Sequence, residues 1–238
     1  MNPQSTVVQK DPELPVQDSR MHRRKFLLFS SAAVSAAVIG VSCAKDTEAN
    51  NLNNRGLNLG GGDTGVLNYA YALEQLEAAF YIQVMQTPYS GMTAMEQEYL
   101  KDIRDHEIAH REFFKNALGS NAISNVEVNF STINFSNRDS VLSTAKAFED
   151  LGVSAYNGAG RLLTSAAFLG LAGKIVSVEA RHAAAIRELI SPNAGTAFAN
   201  SEVVDNQGLD VVRTPRQVLE IAAPFIKTAL DASNLPNM

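Results

Sequence analysis

Two short motifs in this chain combine side chains that commonly bind metal ions. Residues 107–110 and 179–182 each have the pattern Glu-x-x-His. Three residues on an α-helix advance the chain by about one turn and roughly 60° in azimuth, so the Glu and the His of one motif can contact the same ion. The chain has one cysteine and four histidines, so a metal site has to be built from Glu, Asp and His rather than from clustered thiolates.

Each motif is preceded by another glutamate that is followed seven residues later by a tyrosine. Glu74 is paired in this way with Tyr81, and Glu149 with Tyr156. Seven residues return to nearly the same side of a helix two turns later. The two halves of the chain therefore repeat the order Glu, Tyr, Glu-x-x-His. Each tyrosine could hydrogen-bond a ligand glutamate or simply pack between helices, and we favour the hydrogen bond.

Glu77 competes with Glu74 for the role of metal ligand, because it lies one turn later on a neighbouring side of the same helix. The repeat helps to choose between them. In the second half of the chain, the position equivalent to Glu74 is Glu149, whereas the position equivalent to Glu77 is Gly152. The shared spacing from glutamate to tyrosine therefore favours Glu74.

Apolar residues recur with helical rather than alternating spacing along most of the chain after residue 66. This periodicity, with a capping-box signature at Thr93, predicts long helices over residues 66–86, 93–118, 140–158 and 165–190. A shorter fifth helix is expected to start at Thr214, and Pro224 should kink or divide it. Residues 120–139 lack helical periodicity and are too numerous for a tight turn.

Two short connections on either side of one long crossover predict an all-α four-helix bundle over residues 64–190, with a loop and a C-terminal helix in 191–238 packing on it. One Glu from each of two helices and Glu-x-x-His from the other two would then meet in the bundle core. Four buried carboxylates are too costly without cations, and two divalent ions balance their charge. Two divalent metal ions are therefore the predicted cofactors.

With these residues in register, the chain resembles the ferritin-like superfamily, and more closely the exported ferritin-like domain proteins related to plant desiccation-induced proteins. The resemblance covers roughly residues 66–190 and the fifth helix, and it implies a ferritin-like four-helix bundle with one long crossover and an additional C-terminal helix. The metal ligands that it implies are Glu74, Glu107, His110, Glu149, Glu179 and His182, with Tyr81 and Tyr156 as their hydrogen-bonding partners. It does not imply a single activity, because the superfamily oxidises and stores iron, breaks down peroxide and oxidises substrates.

A site of four Glu and two His favours iron or manganese, since hard oxygen ligands predominate. The leading hypothesis is a di-metal oxidoreductase or ferroxidase-like protein in stress protection, with oxygen or peroxide as reaction partner and no catalytic side chain assigned. The alternative is a structural or stress-protective protein that sequesters metal without turnover. A closed storage cage is less favoured, and assembly into a smaller homo-oligomer is left open.

Residues 106–110 also match His-Glu-x-x-His, the zinc metalloprotease signature in which Glu107 would be the general base. Such a site needs a third protein ligand, and the next histidine is His182, which belongs to the second Glu-x-x-His. The equivalent of His106 in the repeat is Val178. The protease is therefore a minor alternative, and we expect His106 at the surface or next to a ligand.

The first 43 residues have the features of an export leader. Arg23 and Arg24 precede Lys-Phe-Leu and an apolar run, which resembles a twin-arginine signal, with an ordinary secretory signal as the alternative. The polar residues before Met21 suggest that Met21 is the true start. Cys43 ends a sequence that resembles a lipobox, so we expect its acylation and a lipid anchor in the membrane, with cleavage near Ala44 as the alternative. Residues 44–63 are expected to form a flexible tether. The predicted location is the periplasm or cell envelope.

The chain carries a formal net charge of -5, so no basic surface is available to attract nucleic acid. It contains no glycine fingerprint for a flavin or dinucleotide, and no cysteine after Cys43 that could form an electron-transfer module. The acidic residues therefore point to the metal site as the chemical centre of the protein.

Overall fold

The structure is a computed structural model that describes residues 56–193 and 197–236. Its helices are α1 (Gly62–Gln86), α2 (Ala94–Leu118), α3 (Arg138–Gly160), α4 (Ala166–Ile190) and α5 (Pro215–Ala222). Two short parallel strands, β1 (Leu57–Asn58) and β2 (Leu230–Asp231), pair with each other. The predicted export and lipidation residues Arg23, Arg24 and Cys43, and the predicted start at Met21, lie outside the described residues.

The four long helices pack as two hairpins. One hairpin joins α1 to α2 through residues 87–93, and the other joins α3 to α4 through residues 161–165. The hairpins meet through contacts of α1 with α3 and of α2 with α4. Residues 119–137 connect the hairpins. The prediction of an all-α ferritin-like bundle with one long crossover and an additional C-terminal helix is confirmed.

Polar side chains fix where the helices begin. The hydroxyl of Thr93 accepts a hydrogen bond from the backbone N–H of Glu96, and the carboxylate of Glu96 accepts one from the backbone N–H of Thr93 at 2.8 Å. Asp63, in the first turn of α1, accepts hydrogen bonds from the backbone N–H groups of Thr164 at 2.7 Å and Ser165 at 2.9 Å. Asp63 therefore joins the start of α1 to the start of α4.

The crossover is packed against the bundle by aromatic side chains. Phe80 of α1 makes edge-to-face contacts with Tyr81 and with Phe148 of α3, at ring-centroid distances of 5.0 and 5.1 Å. Phe130 and Phe135 of the crossover pack on the same ring, at 6.0 and 5.9 Å. These rings keep water away from the interior of the bundle on this side.

The fold begins earlier than the sequence indicates. The first helix starts at Gly62 rather than at residue 66, and residues 57–58 form β1. Leu59 is fully buried. Residues 57–63 therefore belong to the fold and not to the predicted tether, whose other residues lie outside the described part except Gly56. The Asn- and Gly-rich composition resembles a linker, but Gly60 supplies a positive φ of 84° at the turn into α1.

The fifth helix is short, as its prolines predict. Pro215 occupies its first turn, and Thr214 forms a capping box with Gln217. The helix ends at Ala222, and a 3₁₀ turn that contains Pro224 follows over Ala223–Phe225. Helix α5 packs on α3, so the C-terminal segment covers the second hairpin and then returns to β1 through β2.

Candidate metal centre

The structure brings the six predicted metal ligands together in the core of the bundle. Each of the four long helices contributes: α1 supplies Glu74, α3 supplies Glu149, and the two Glu-x-x-His motifs lie on α2 and α4. The four carboxylate side chains are at most 1% exposed, and those of the two histidines are 12% and 5% exposed. Helical spacing of three residues directs the Glu and the His of each motif to the same place.

One group of potential ligand atoms surrounds His110. Its Nδ1 lies 3.0 Å from Oε1 of Glu179, 3.5 Å from Oε2 of Glu74 and 3.6 Å from Oε2 of Glu107. These four residues can each offer one atom to a common ion, since the atoms lie within 4.8 Å of one another. This group combines three oxygen donors with one imidazole, a set that suits iron or manganese.

The second group surrounds His182. Its Nδ1 lies 2.9 Å from Oε1 of Glu107 and 3.3 Å from Oε2 of Glu149, and Glu179 completes the group. Glu107 and Glu179 therefore belong to both groups. At least in Glu107, a different oxygen faces each histidine, which is the orientation a carboxylate needs to bridge two ions.

The donor atoms fit a metal centre because most of them make no hydrogen bond. Buried polar atoms in proteins are normally hydrogen-bonded. Nδ1 of His110 and of His182 lie 3.0 and 2.9 Å from oxygens of Glu179 and Glu107, but their orientation does not make a hydrogen bond. In all, eight buried donor atoms make no hydrogen bond: Oε2 of Glu74 and of Glu149, both carboxylate oxygens of Glu107 and of Glu179, and Nδ1 of His110 and of His182. Leaving these atoms unpaired in the core is costly, and coordination of cations supplies the missing partners.

The electrostatics of the cluster reflect burial and close packing of charges. Burial raises the pKa of Glu74 to about 7 in spite of the nearby His110, and burial together with Glu107 raises the pKa of Glu179 well above its usual range. Burial acts in the same direction on Glu107, but His110 and His182 outweigh it and lower the pKa of Glu107 to about 2. Burial opposes the charge on His182, yet Glu149 and Glu107 raise its pKa to about 11.

The two tyrosines hold the glutamates of the opposite hairpin. The hydroxyl of Tyr81 on α1 donates to Oε1 of Glu149 on α3 at 2.5 Å. The hydroxyl of Tyr156 on α3 donates a short hydrogen bond to Oε1 of Glu74 on α1. In both glutamates the other oxygen, Oε2, is the one without a hydrogen bond. The tyrosines therefore fix each carboxylate with one oxygen directed at the centre.

His106 lies beside a ligand without facing the centre. Its Nδ1 is 2.9 Å from Nε2 of His182, and the two rings are stacked with centroids 5.1 Å apart. His106 belongs to neither group of potential ligands. The geometry therefore does not support a zinc site that uses His106 and His110 together. It gives His106 the position of a hydrogen-bonding partner that orients the ring of His182.

Glu77 is a fifth buried carboxylate beside the centre, in addition to the four glutamates predicted from the repeat. It is 4% exposed. Burial raises its pKa well above the usual range, and Glu179, Glu107 and Glu149 add to the shift. The sequence signal that could have identified Glu77 is the glycine at the equivalent position of the repeat, Gly152. A Cβ atom at Gly152 would lie only 3.1 Å from Oε1 of Glu77.

Arg187 is a buried arginine on α4, and no local pattern in the sequence distinguishes it from the exposed arginines. It is 3% exposed and pairs with Asp150, whose Oδ2 lies 2.6 Å from Nη2 of Arg187. Asp150 directly follows the ligand position Glu149 on α3. This ion pair joins α3 to α4 beside the centre.

Comparison with known proteins agrees with this architecture. Residues 62–192 match the ferritin-like domain family. This match covers more than half of the chain, and the chain therefore belongs to that family. No curated protein matches the chain. Within the residues that the structure describes, every helix is too short or too polar to cross a membrane.

Proposed function

We propose that this protein binds two divalent ions, iron or manganese, and uses them in oxidation–reduction chemistry or ferroxidase-like chemistry that protects the cell from stress. The observation that supports the proposal is the set of eight buried carboxylate and imidazole atoms without hydrogen bonds, arranged as two groups that share Glu107 and Glu179. When bound, two such ions supply electrons to oxygen or peroxide.

The chain's own residues would hold the ions and control their surroundings. Glu74 and His110 bind on one side, Glu149 and His182 on the other, and Glu107 and Glu179 lie between them. Tyr81 and Tyr156 keep two of the carboxylates in position. Their aromatic rings, packed against Phe80 and Phe114, exclude bulk water, which strengthens electrostatic interactions within the site.

A second candidate function is sequestration of metal without turnover. It is favoured by the burial of the site, because the ligand side chains are between 0% and 12% exposed and leave little room for a large reaction partner. Small molecules such as oxygen or peroxide need much less access. The His110 side has the more exposed imidazole and is the nearer route from solvent.

The experiment that separates the two candidates starts with metal analysis of protein isolated from its native host. Iron or manganese at about two ions per chain supports a di-metal centre. Oxygen and peroxide consumption are then measured with the loaded protein, an electron donor and a metal-free control. Repeated turnover supports the redox function, whereas stable binding without turnover supports sequestration. Absence of bound metal, together with failure to bind it on titration, contradicts both.

We further propose that the protein is exported and anchored to the membrane at the cell envelope, like the desiccation-related exported proteins that it resembles. Support comes from the twin-arginine pattern at Arg23 and Arg24 and from Cys43 after the apolar run. Replacing both arginines with lysine should leave precursor inside the cell, and normal export would remove this route. Cys43→Ala should release the protein from membranes, and unchanged partitioning would show that no acyl chain holds it.

A further inference from the structure

We propose that Glu77 is an additional metal ligand, that it serves the ion held by Glu149 and His182, and that Gly152 provides the space for its carboxylate. This inference rests on the proposed di-metal function. It adds a residue that is in neither of the two groups of potential ligands described above. It also makes the two ion positions chemically different, although the sequence repeat would make them equivalent.

The Glu77 carboxylate lies in the core of the bundle, beside the backbone of Gly152. Glu77 lies on α1, one turn after Glu74, and is 4% exposed. An ideal Cβ built on Gly152 would have Oε1 of Glu77 at 3.1 Å and Oε2 of Glu179 at 3.2 Å as its nearest neighbours. Both carboxylates therefore lie against the same part of the α3 backbone. Carboxylates packed near each other in a protein core are stabilised by a cation or by a proton on one of them.

The two oxygens of Glu179 face different parts of the centre. Oε1 of Glu179 faces His110 at 3.0 Å. The other oxygen, Oε2, is the one that approaches Gly152. Gly152 follows Glu149 by one helical turn on α3, so this part of α3 lies next to the glutamate of the second group. On this ground we assign Glu77 to the ion position of Glu149 and His182.

The two halves of the repeat differ at this position. The equivalent of Glu77 in the second half of the chain is Gly152, and the structure places these two equivalent positions against each other. Any side chain at 152 would meet the carboxylate oxygens at distances tighter than nearly all real Cβ contacts. A glutamate at position 152 would therefore crowd the carboxylate of Glu77. The result is one ion position with an additional carboxylate and one without it.

The test is a comparison of metal affinities in variants of the full-length protein, with Mn²⁺ as the probe. Titration calorimetry of His110→Ala and His182→Ala first assigns each of the two binding steps to one side of the centre. Glu77→Gln keeps the size of the side chain and removes its charge. We expect Glu77→Gln to weaken one binding step, the one that is lost in His182→Ala, by about tenfold or more. The affinity of the other step should change by less than about threefold. Glu98→Gln, on the exposed surface of α2, is the control for loss of a glutamate charge.

A second variant tests the space at Gly152 without touching Glu77. Gly152→Ala should weaken the same binding step more than the other, because its methyl group displaces Oε1 of Glu77, whereas the Glu179 oxygen that it meets, Oε2, is not the one that faces His110. Gly173→Ala on α4, where a Cβ meets nothing within 4 Å, is the matched control and should leave both steps unchanged. Circular dichroism and thermal unfolding identify any variant that fails to fold, in which case Glu77→Gln alone decides.

The outcomes distinguish this inference from the proposed function. If the wild-type protein binds two Mn²⁺ ions and Glu77→Gln binds them with unchanged affinities, Glu77 is not a ligand. Equal weakening of both steps would contradict its assignment to the His182 side. If the wild-type protein binds no metal, the proposed function itself is wrong.

Discussion

Tyr81→Phe tests whether the tyrosine hydroxyls stabilise the glutamates of the centre. The substitution removes one oxygen atom and retains the ring, which packs edge-to-face on Phe80 at 5.0 Å. Tyr81 is fully buried and donates to Oε1 of Glu149 at 2.5 Å. Oε2 of Glu149 already lacks a hydrogen bond. The variant therefore leaves a buried carboxylate with neither oxygen hydrogen-bonded.

The expected cost follows from this loss. A hydrogen bond to a charged group contributes about 1.5–3 kcal/mol, and a buried acceptor left without a donor incurs a comparable penalty. We expect a loss of about 1.5–3 kcal/mol in the free energy of unfolding. For a domain of this size, that corresponds to a decrease in Tm of roughly 3–12 °C. Tyr156→Phe should behave similarly, because Tyr156 donates to Glu74 in the same way.

The assay is urea unfolding followed by circular dichroism, on protein prepared with chelator and on protein saturated with Mn²⁺. Tyr99→Phe is the control, since Tyr99 is 46% exposed and should be replaceable within about 0.5 kcal/mol. A change below about 0.5 kcal/mol in Tyr81→Phe, in both preparations, would refute the argument that its hydroxyl holds a buried, charged Glu149.

The remaining predictions concern the scaffold around the centre. Burial opposes the charge on Glu96, but hydrogen bonds from Thr93 and Arg138 lower its pKa in the folded state. These bonds therefore stabilise the folded protein above the pKa of the unfolded state, and this stabilisation is lost as the pH falls through the lower folded pKa. In urea unfolding, Glu96→Gln should lower the free energy of unfolding by about 1–2 kcal/mol at pH 7 and by much less near pH 3. An equal decrease at both pH values would contradict this prediction. Gly158→Ala should lower the free energy of unfolding by about 2 kcal/mol or more, because its Cβ would lie 1.7 Å from the carbonyl oxygen of Arg213. The control is Gly170→Ala, whose Cβ meets nothing within 4 Å, and it should leave the free energy of unfolding unchanged or raise it by up to about 1 kcal/mol. Equal thermal stability of these two variants would show that the contact at Gly158 is not constraining. Asp63→Ala should lower stability by about 0.5–2 kcal/mol through loss of its bonds to the backbone of Thr164 and Ser165, and wild-type thermal stability would count against that role.

The bundle could be predicted from the sequence because its signals are local and repeated. Helical periodicity, the capping box at Thr93 and the prolines at 215 and 224 each act within a few residues, and they located the helices to within about four residues. The start of α1 was the least accurate limit, since the helix begins at Gly62 and not at residue 66. The buried Leu59 and the pairing of β1 with β2 depend on residues 230–231, more than 170 positions away, and no local pattern reports such a contact.

The centre was predictable to the extent that it follows the repeat. Equivalent positions 74 and 149, and the two Glu-x-x-His motifs, were found by their shared spacing, and the structure brings them together. Glu77 was set aside because its equivalent is Gly152 and the repeat was used as the criterion. The structure gives the physical reason for that difference, since the glycine leaves room for the glutamate. A departure from the repeat therefore carried as much information as the repeat itself.

His106 shows a further limit of spacing arguments. A motif places residues on one helix, but its contacts with other helices depend on how the helices pack. The 2.9 Å contact between His106 and His182 joins α2 to α4 across 76 positions. Neither Glu-x-x-His nor His-Glu-x-x-His, the two motifs that end at His110, predicts this contact. The contact shows that His106 orients a ligand histidine, whereas the second motif alone would make it a ligand of a protease zinc ion.

The central claim, that two ions are bound by both halves of the repeat, is tested most directly by counting the ions bound to histidine variants. Metals per chain are measured after equilibration with Mn²⁺ at a concentration that just saturates the wild-type protein. We expect about two ions in the wild type and about one in each of His110→Ala and His182→Ala, because each loses the only imidazole of its group. His106→Ala should retain both ions with modestly lower affinity, since it contacts only the outer nitrogen of His182. Two ions retained in His182→Ala and none in His106→Ala would contradict the di-metal bundle and support the zinc protease instead.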